Sequence, residues 1–88
     1  MLMKIKKILL DAETQEKILY KHGIKREELE NALLEGKPKF IRIRDNLYMV
    51  ITHYHKYITT IFEYEKQTAT IKTAYKSSDW QVSRYEKK

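Results

Sequence analysis

Three histidines, seven tyrosines and a scatter of arginines carry most of the chemistry open to this chain. His22 stands between Lys21 and Gly23. Its imidazole could act as a general base, or it can simply fill the end of a helix. His53 and His55 are two residues apart in Thr52-His53-Tyr54-His55. An unbroken strand would put both on one face, as two metal ligands require. No third ligand is evident and a turn is expected at His55, so no metal site is predicted. Arg42 and Arg44 alternate with apolar residues and are expected on one strand face, with Lys72 as a neighbour from a later strand and Arg84 from a final helix. The paired donors of arginine match phosphate oxygens. Tyr48, Tyr54, Tyr57, Tyr64, Tyr75 and Tyr85 are interleaved with these bases. Such rings stack unpaired nucleobases, although tyrosine also packs readily into sheets. Trp80 is read as the anchor of the last helix.

Other chemistries find no foothold. There is no glycine-rich phosphate loop, paired-histidine metal helix or Gly-x-Ser-x-Gly elbow. Cysteine is absent, which removes disulfides and suits a reducing cytoplasm. The 88 residues predict one domain, 1–88, with a thin core and no deep cavity. Charge is unevenly spread: residues 1–10 carry +3, residues 11–36 carry −3 and residues 37–88 carry +6. A basic surface attracts polyanions, nucleic acid first, or merely keeps a small protein soluble. The apolar stretch Ile8-Leu9-Leu10 is too short for a signal peptide or a membrane span.

The elements that must position these residues follow from periodicity. Met1 to Leu10 reads as a short edge strand guarded by lysines. Asp11 or Thr14 can cap a helix from Ala12 to Tyr20 that stops at Lys21-His22-Gly23. A second helix begins near Arg26, carries the stripe Leu29, Ala32 and Leu33, and closes at Gly36 and Pro38. From Lys39 the period becomes two. Strands are expected over Phe40–Arg44, Leu47–Tyr54, Tyr57–Glu65 and Ala69–Tyr75, with turns at Asp45-Asn46, His55-Lys56 and Lys66–Thr68. In the last strand Ile71, Thr73 and Tyr75 are expected on one face. Ser77-Ser78-Asp79 caps a final helix starting near Trp80. The predicted fold is therefore α+β: two N-terminal helices packed on an antiparallel meander of about four strands, with a short N-terminal strand and a C-terminal helix. The sheet face away from the helix pair is expected to stay partly open.

Lys21-His22-Gly23-Ile24, followed by Glu27-Glu28 and the Ala32-Leu33 stripe, resembles the BrnT-type toxins of toxin–antitoxin pairs. The strand ending Ile71-Lys72-Thr73-Ala74, the polar turn and the helix ending Arg84-Tyr85 are similar to the same family. The resemblance runs from about Asp11 to Tyr85; a related group of small domains shares the same helix–Gly–helix–sheet pattern. It implies a RelE-like fold, metal-independent RNA cleavage and neutralisation by a cognate antitoxin. His22 matches the family's Lys-His-Gly step and Tyr85 its late tyrosine. Tyr75 stands where the family usually has arginine, so Lys76, Arg44 or Arg84 would have to replace that cation.

Two functions of different kinds are therefore expected. In the first, the chain is an endoribonuclease with His22 or His53 as base, Arg44 and Arg84 on the phosphate oxygens, and Tyr85 carried over from the resemblance. Arg42, Lys72, Tyr75 and Lys76 would bind RNA, ribosome-bound mRNA included, and no cofactor is required. In the second, the same scaffold binds RNA or a protein without cleavage. An orphan structural or regulatory role is the third reading. A homodimer is left open, and no membrane association is expected.

Overall fold

The protein is described from a computed structural model covering residues 5–87, with Tyr54 described by its backbone alone. Asp11 opens the first helix, α1 (Ala12–His22), by accepting the Thr14 backbone N–H at 2.7 Å. Gly23 ends it in the left-handed conformation, φ 66°, where a side chain would be strained. Two turns of helix follow in α2 (Arg26–Leu34), whose first turn is reinforced by Glu28 accepting the Lys25 backbone N–H. The chain then alternates through β2 (Lys39–Arg44), β3 (Leu47–Tyr54), β4 (Lys56–Glu65) and β5 (Thr68–Lys76), and ends in α3 (Asp79–Glu86). A three-residue strand, β1 (Lys7–Leu9), precedes all of these.

The sheet order is β1-β5-β4-β3-β2. The four later strands form the expected antiparallel meander. β1 lies parallel to β5, pairing Ile8 with Ala69, so the five-stranded sheet is mixed. The predicted N-terminal strand thus exists over its last third; its Met1 and Met3 lie outside the described residues. Turns are tighter than expected: His55 alone separates β3 from β4, with φ 67°, and Lys66-Gln67 separates β4 from β5, with φ 50° and 63°. His53 and His55 therefore do not share a strand.

Two bulges alter which residues share a face. In β2, Arg42 pairs with Tyr48 and Arg44 with Leu47, which makes Ile43 the extra residue. Neighbouring residues of β3 point to opposite faces, so Arg42 and Arg44 are on opposite sides, not together as their spacing suggests. In β5, Ile71 pairs with Phe62 and Thr73 with Ile61, which makes Lys72 the extra residue. Ile71 consequently faces the helix pair, away from Thr73 and Tyr75.

The main core lies between α1, α2 and one sheet face. Ile18, Ile24, Leu29, Ala32 and Leu33 meet Val50, Ile58, Phe62, Ile71 and Ala74 there. Phe62 is its centre, with Tyr48 stacked on it and Phe40 edge-on. Tyr48 and Tyr64 are thus packing residues. The opposite face is covered only in part: α3 packs around Met49, Thr59 and Tyr75 near the fully buried Ile51, while Arg44 and Glu63 stay exposed beyond it. The inward residue of α3 is Gln81, 2% exposed, whereas Trp80 is 57% exposed. Trp80 is therefore not the anchor of this helix.

Candidate nucleic-acid interface

β1 pairs with only Thr68–Thr70, so among the described residues β5 from Ile71 onward has no strand on its outer side. α1 packs there instead, burying Ile18. Helical spacing then brings Thr14, Lys17 and Lys21 to the margin of the strand. Together with His22, Lys72 and Thr73 they line a groove of about 210 Å³. The bulge places Lys72 in this groove, since an extra residue on an edge turns its side chain away from the regular pleat. His22 is half-buried, its ring 6.1 Å from that of Tyr75. Three ammonium groups and an imidazole thus converge on one concave strip.

Two of the lysines have carboxylate partners on the rim. Lys17 meets Glu13 at 3.2 Å and Lys72 meets Glu63 at 2.7 Å, both pairs well exposed. Such pairs are weak in water and exchange readily for a phosphate. Asp11, beside the groove, is held below its usual carboxyl range, chiefly by the backbone N–H of Thr14 and further by Lys17 and Lys72. Lys72 also lines a second groove of about 400 Å³ with Arg44, Asp45, Asn46, Leu47 and Glu63. Arg44, Lys72 and His22 are therefore joined along one track, basic at His22 and charge-balanced where Asp45 and Glu63 meet Arg44 and Lys72.

Tyr75 borders this region with its hydroxyl held on the α3 side. Its hydroxyl accepts a hydrogen bond from Gln81 Nε2 at 2.9 Å, under α3. Gln81 Oε1 accepts from Thr59 Oγ1, the Ser78 backbone N–H and Ser78 Oγ. Thr59 in turn shares a hydrogen bond with Ser77 at 2.7 Å. Tyr75 is fixed from behind and offers its ring to His22, a positioning contact. Gln81 was invisible as a hub in the sequence, although its place three residues after Ser78 is the capping-box signal that could have drawn attention to it.

The remaining expected site residues lie elsewhere. His53 stacks on Tyr57 with centroids 4.4 Å apart, and Tyr57 meets Tyr85 edge-on at 5.7 Å. Tyr85 donates to the Lys37 carbonyl at 2.6 Å, and Tyr57 donates to Glu86 at 2.9 Å. That second cluster ties the end of α3 to the sheet. The acceptor carboxylate raises the Tyr57 phenol above its usual 10.0. Arg42 donates to the Asp45 carbonyl at 2.9 Å, which fixes the β2–β3 turn. Lys76 is exposed at the end of β5, and Arg84 points outward from α3. His22, Lys72, Tyr75 and Arg44 are thus connected, while His53, Tyr85, Arg84, Arg42 and Lys76 are not part of that track.

Among the described residues no three histidine, aspartate or glutamate side chains converge as a metal site would need, and no helix is long and apolar enough to cross a membrane. Neither protein-family profiles nor curated proteins yield a match to this chain.

Proposed function

We propose that this chain binds RNA along the track from Arg44 through Lys72 to His22, and that it cleaves the strand there without a metal, as the resemblance to BrnT-type toxins implies. The observation that carries the reading is the meeting of His22 with Lys17, Lys21 and Lys72 in one groove. A phosphate in that groove would be held by ammonium groups beside an imidazole that can accept a proton. His22 would take the proton of the ribose 2′-hydroxyl while that oxygen attacks phosphorus. The bond to the 5′ oxygen breaks, and the departing oxygen takes a proton from Lys21 or Lys72. The products are a 2′,3′-cyclic phosphate and a free 5′-hydroxyl.

Incubating the purified protein with labelled single-stranded RNA in a chelator tests this directly. Cyclic-phosphate ends should appear, and His22→Gln should abolish them while leaving binding nearly unchanged. Intact RNA with the wild-type protein would remove the nuclease reading. A cognate antitoxin should then relieve growth arrest on co-expression.

Binding without cleavage is the second reading, favoured by one feature: no arginine lines the groove around His22. It predicts salt-sensitive association with intact RNA, log K falling with a slope of about −0.7 per phosphate engaged. Affinity that does not respond to salt would exclude it.

A further inference from the structure

Trp80 is the chain's one tryptophan, and it stands more than half exposed on α3. The packing of α3 does not use it. That helix is held by Gln81 on its inner side, by Tyr85 to the Lys37 carbonyl, and by the Lys39 ammonium, which donates to the carbonyls of Arg84 and Lys87 at 2.9 Å each. Residues 80, 83, 84 and 87 recur at helical spacing and form one outward face. With Lys39 they line a groove of about 500 Å³ that contains no carboxylate. Among the described residues neither Arg84 nor Lys87 has an ion-pair partner.

We propose that Trp80, Arg84 and Lys87 form a second site, which stacks one unpaired nucleotide of single-stranded RNA. It rests on the reading of the chain as an RNA-binding protein but lies apart from the groove at His22. An indole face is sequence-tolerant toward bases, and adjacent cations meet the flanking phosphates. A purely apolar partner would leave both cations desolvated and unpaired, which costs affinity. Arg84, one residue before Tyr85, then serves strand binding from the outer side of the helix.

Because Trp80 is the sole indole, its emission reports on this site alone. The full-length protein is titrated with a short 2′-O-methyl oligouridylate, which cannot be cleaved, while anisotropy follows binding in parallel. Indole quenching should saturate together with the anisotropy. Trp80→Ala should weaken binding roughly tenfold, Trp80→Phe should restore most of it, and Arg84→Ala should reduce the salt slope by about 0.7. Trp80 and Arg84 are both exposed, so the fold is not at risk. Binding with unchanged Trp80 emission and full affinity in Trp80→Ala would overturn this site while leaving the His22 groove intact. No binding by the wild-type protein would remove both readings. Quenching by polyglutamate but not by the oligonucleotide would assign the surface to an acidic protein and overturn the proposal.

Discussion

The Gln81 side-chain amide donates to the Tyr75 hydroxyl at 2.9 Å, and this bond ties the last helix to the strand that borders the basic groove. Gln81 is almost wholly buried, and its oxygen meets three further donors. Replacing it with leucine would leave the Tyr75 hydroxyl without its donor and Thr59 with Ser77 alone. We expect Gln81→Leu to lose about 2–3 kcal/mol in urea unfolding. Thr52 offers the opposite case, since its hydroxyl is buried with no partner among the described residues. Thr52→Val should raise stability by up to about 1 kcal/mol, measured in the same way. A loss in the second variant would mean that the hydroxyl is satisfied by water.

Lys66 and Gln67 both adopt positive φ, the geometry of a tight hairpin turn that asparagine and glycine fill with least strain. The Lys66→Asn, Gln67→Gly double variant should therefore be more stable by about 1–2 kcal/mol. The backbone carbonyl of Gln67, which accepts from Lys6 and Lys7, is retained by the change. Thermal unfolding at one scan rate checks the result.

Acid should loosen the second helix. Lys56 Nζ lies 2.8 Å from Glu28, and that hydrogen bond, together with the Lys25 backbone N–H, holds the carboxyl below its usual 4.5. A depressed carboxyl contributes stability that is complete above its unfolded value and disappears as pH falls through its folded value. The effect thus operates below about pH 4.5 and, for a pair one-third exposed, amounts to less than about 1 kcal/mol. Glu28→Gln should flatten the stability profile in that window. A profile identical to wild type would show the pair to be energetically silent.

Alkali acts on the far end of the sheet. Tyr57 donates to Glu86, and the acceptor carboxylate raises the phenol above its usual 10.0. A raised group favours the folded state fully below its unfolded value and ceases to do so as pH climbs through the folded one. Tyrosinate absorbance of wild type minus Tyr57→Phe should show a midpoint above 10.0, and Glu86→Gln should bring it down.

Much of this architecture was legible in the residues. Asp11, Gly23 and the Ser78-to-Gln81 spacing mark helix ends through local hydrogen bonding, which short-range chemistry determines. The alternation from Phe40 to Tyr75 marks strands for the same reason. What stayed hidden depends on contacts between distant segments. Bulges at Ile43 and Lys72 shift the faces of Arg42 and Ile71, and nothing local announces an inserted residue in a run of alternating side chains. The ring size of Trp80 suggests an anchor, whereas the buried neighbour is an amide with partners from three elements. His22 and Lys72 each stand out by residue type, but their meeting depends on α1 packing beside β5 where no strand pairs.

The pairing of Ile8 with Ala69 joins segments about sixty residues apart over a contact only three residues long. Every other neighbouring strand is reached through a turn of one or two residues. Such a seam pays most of its closure entropy for the fewest bonds, so it zips up after the hairpins have already collapsed. Substitutions in Lys7–Leu9 would accordingly quicken unfolding and leave the refolding rate almost untouched.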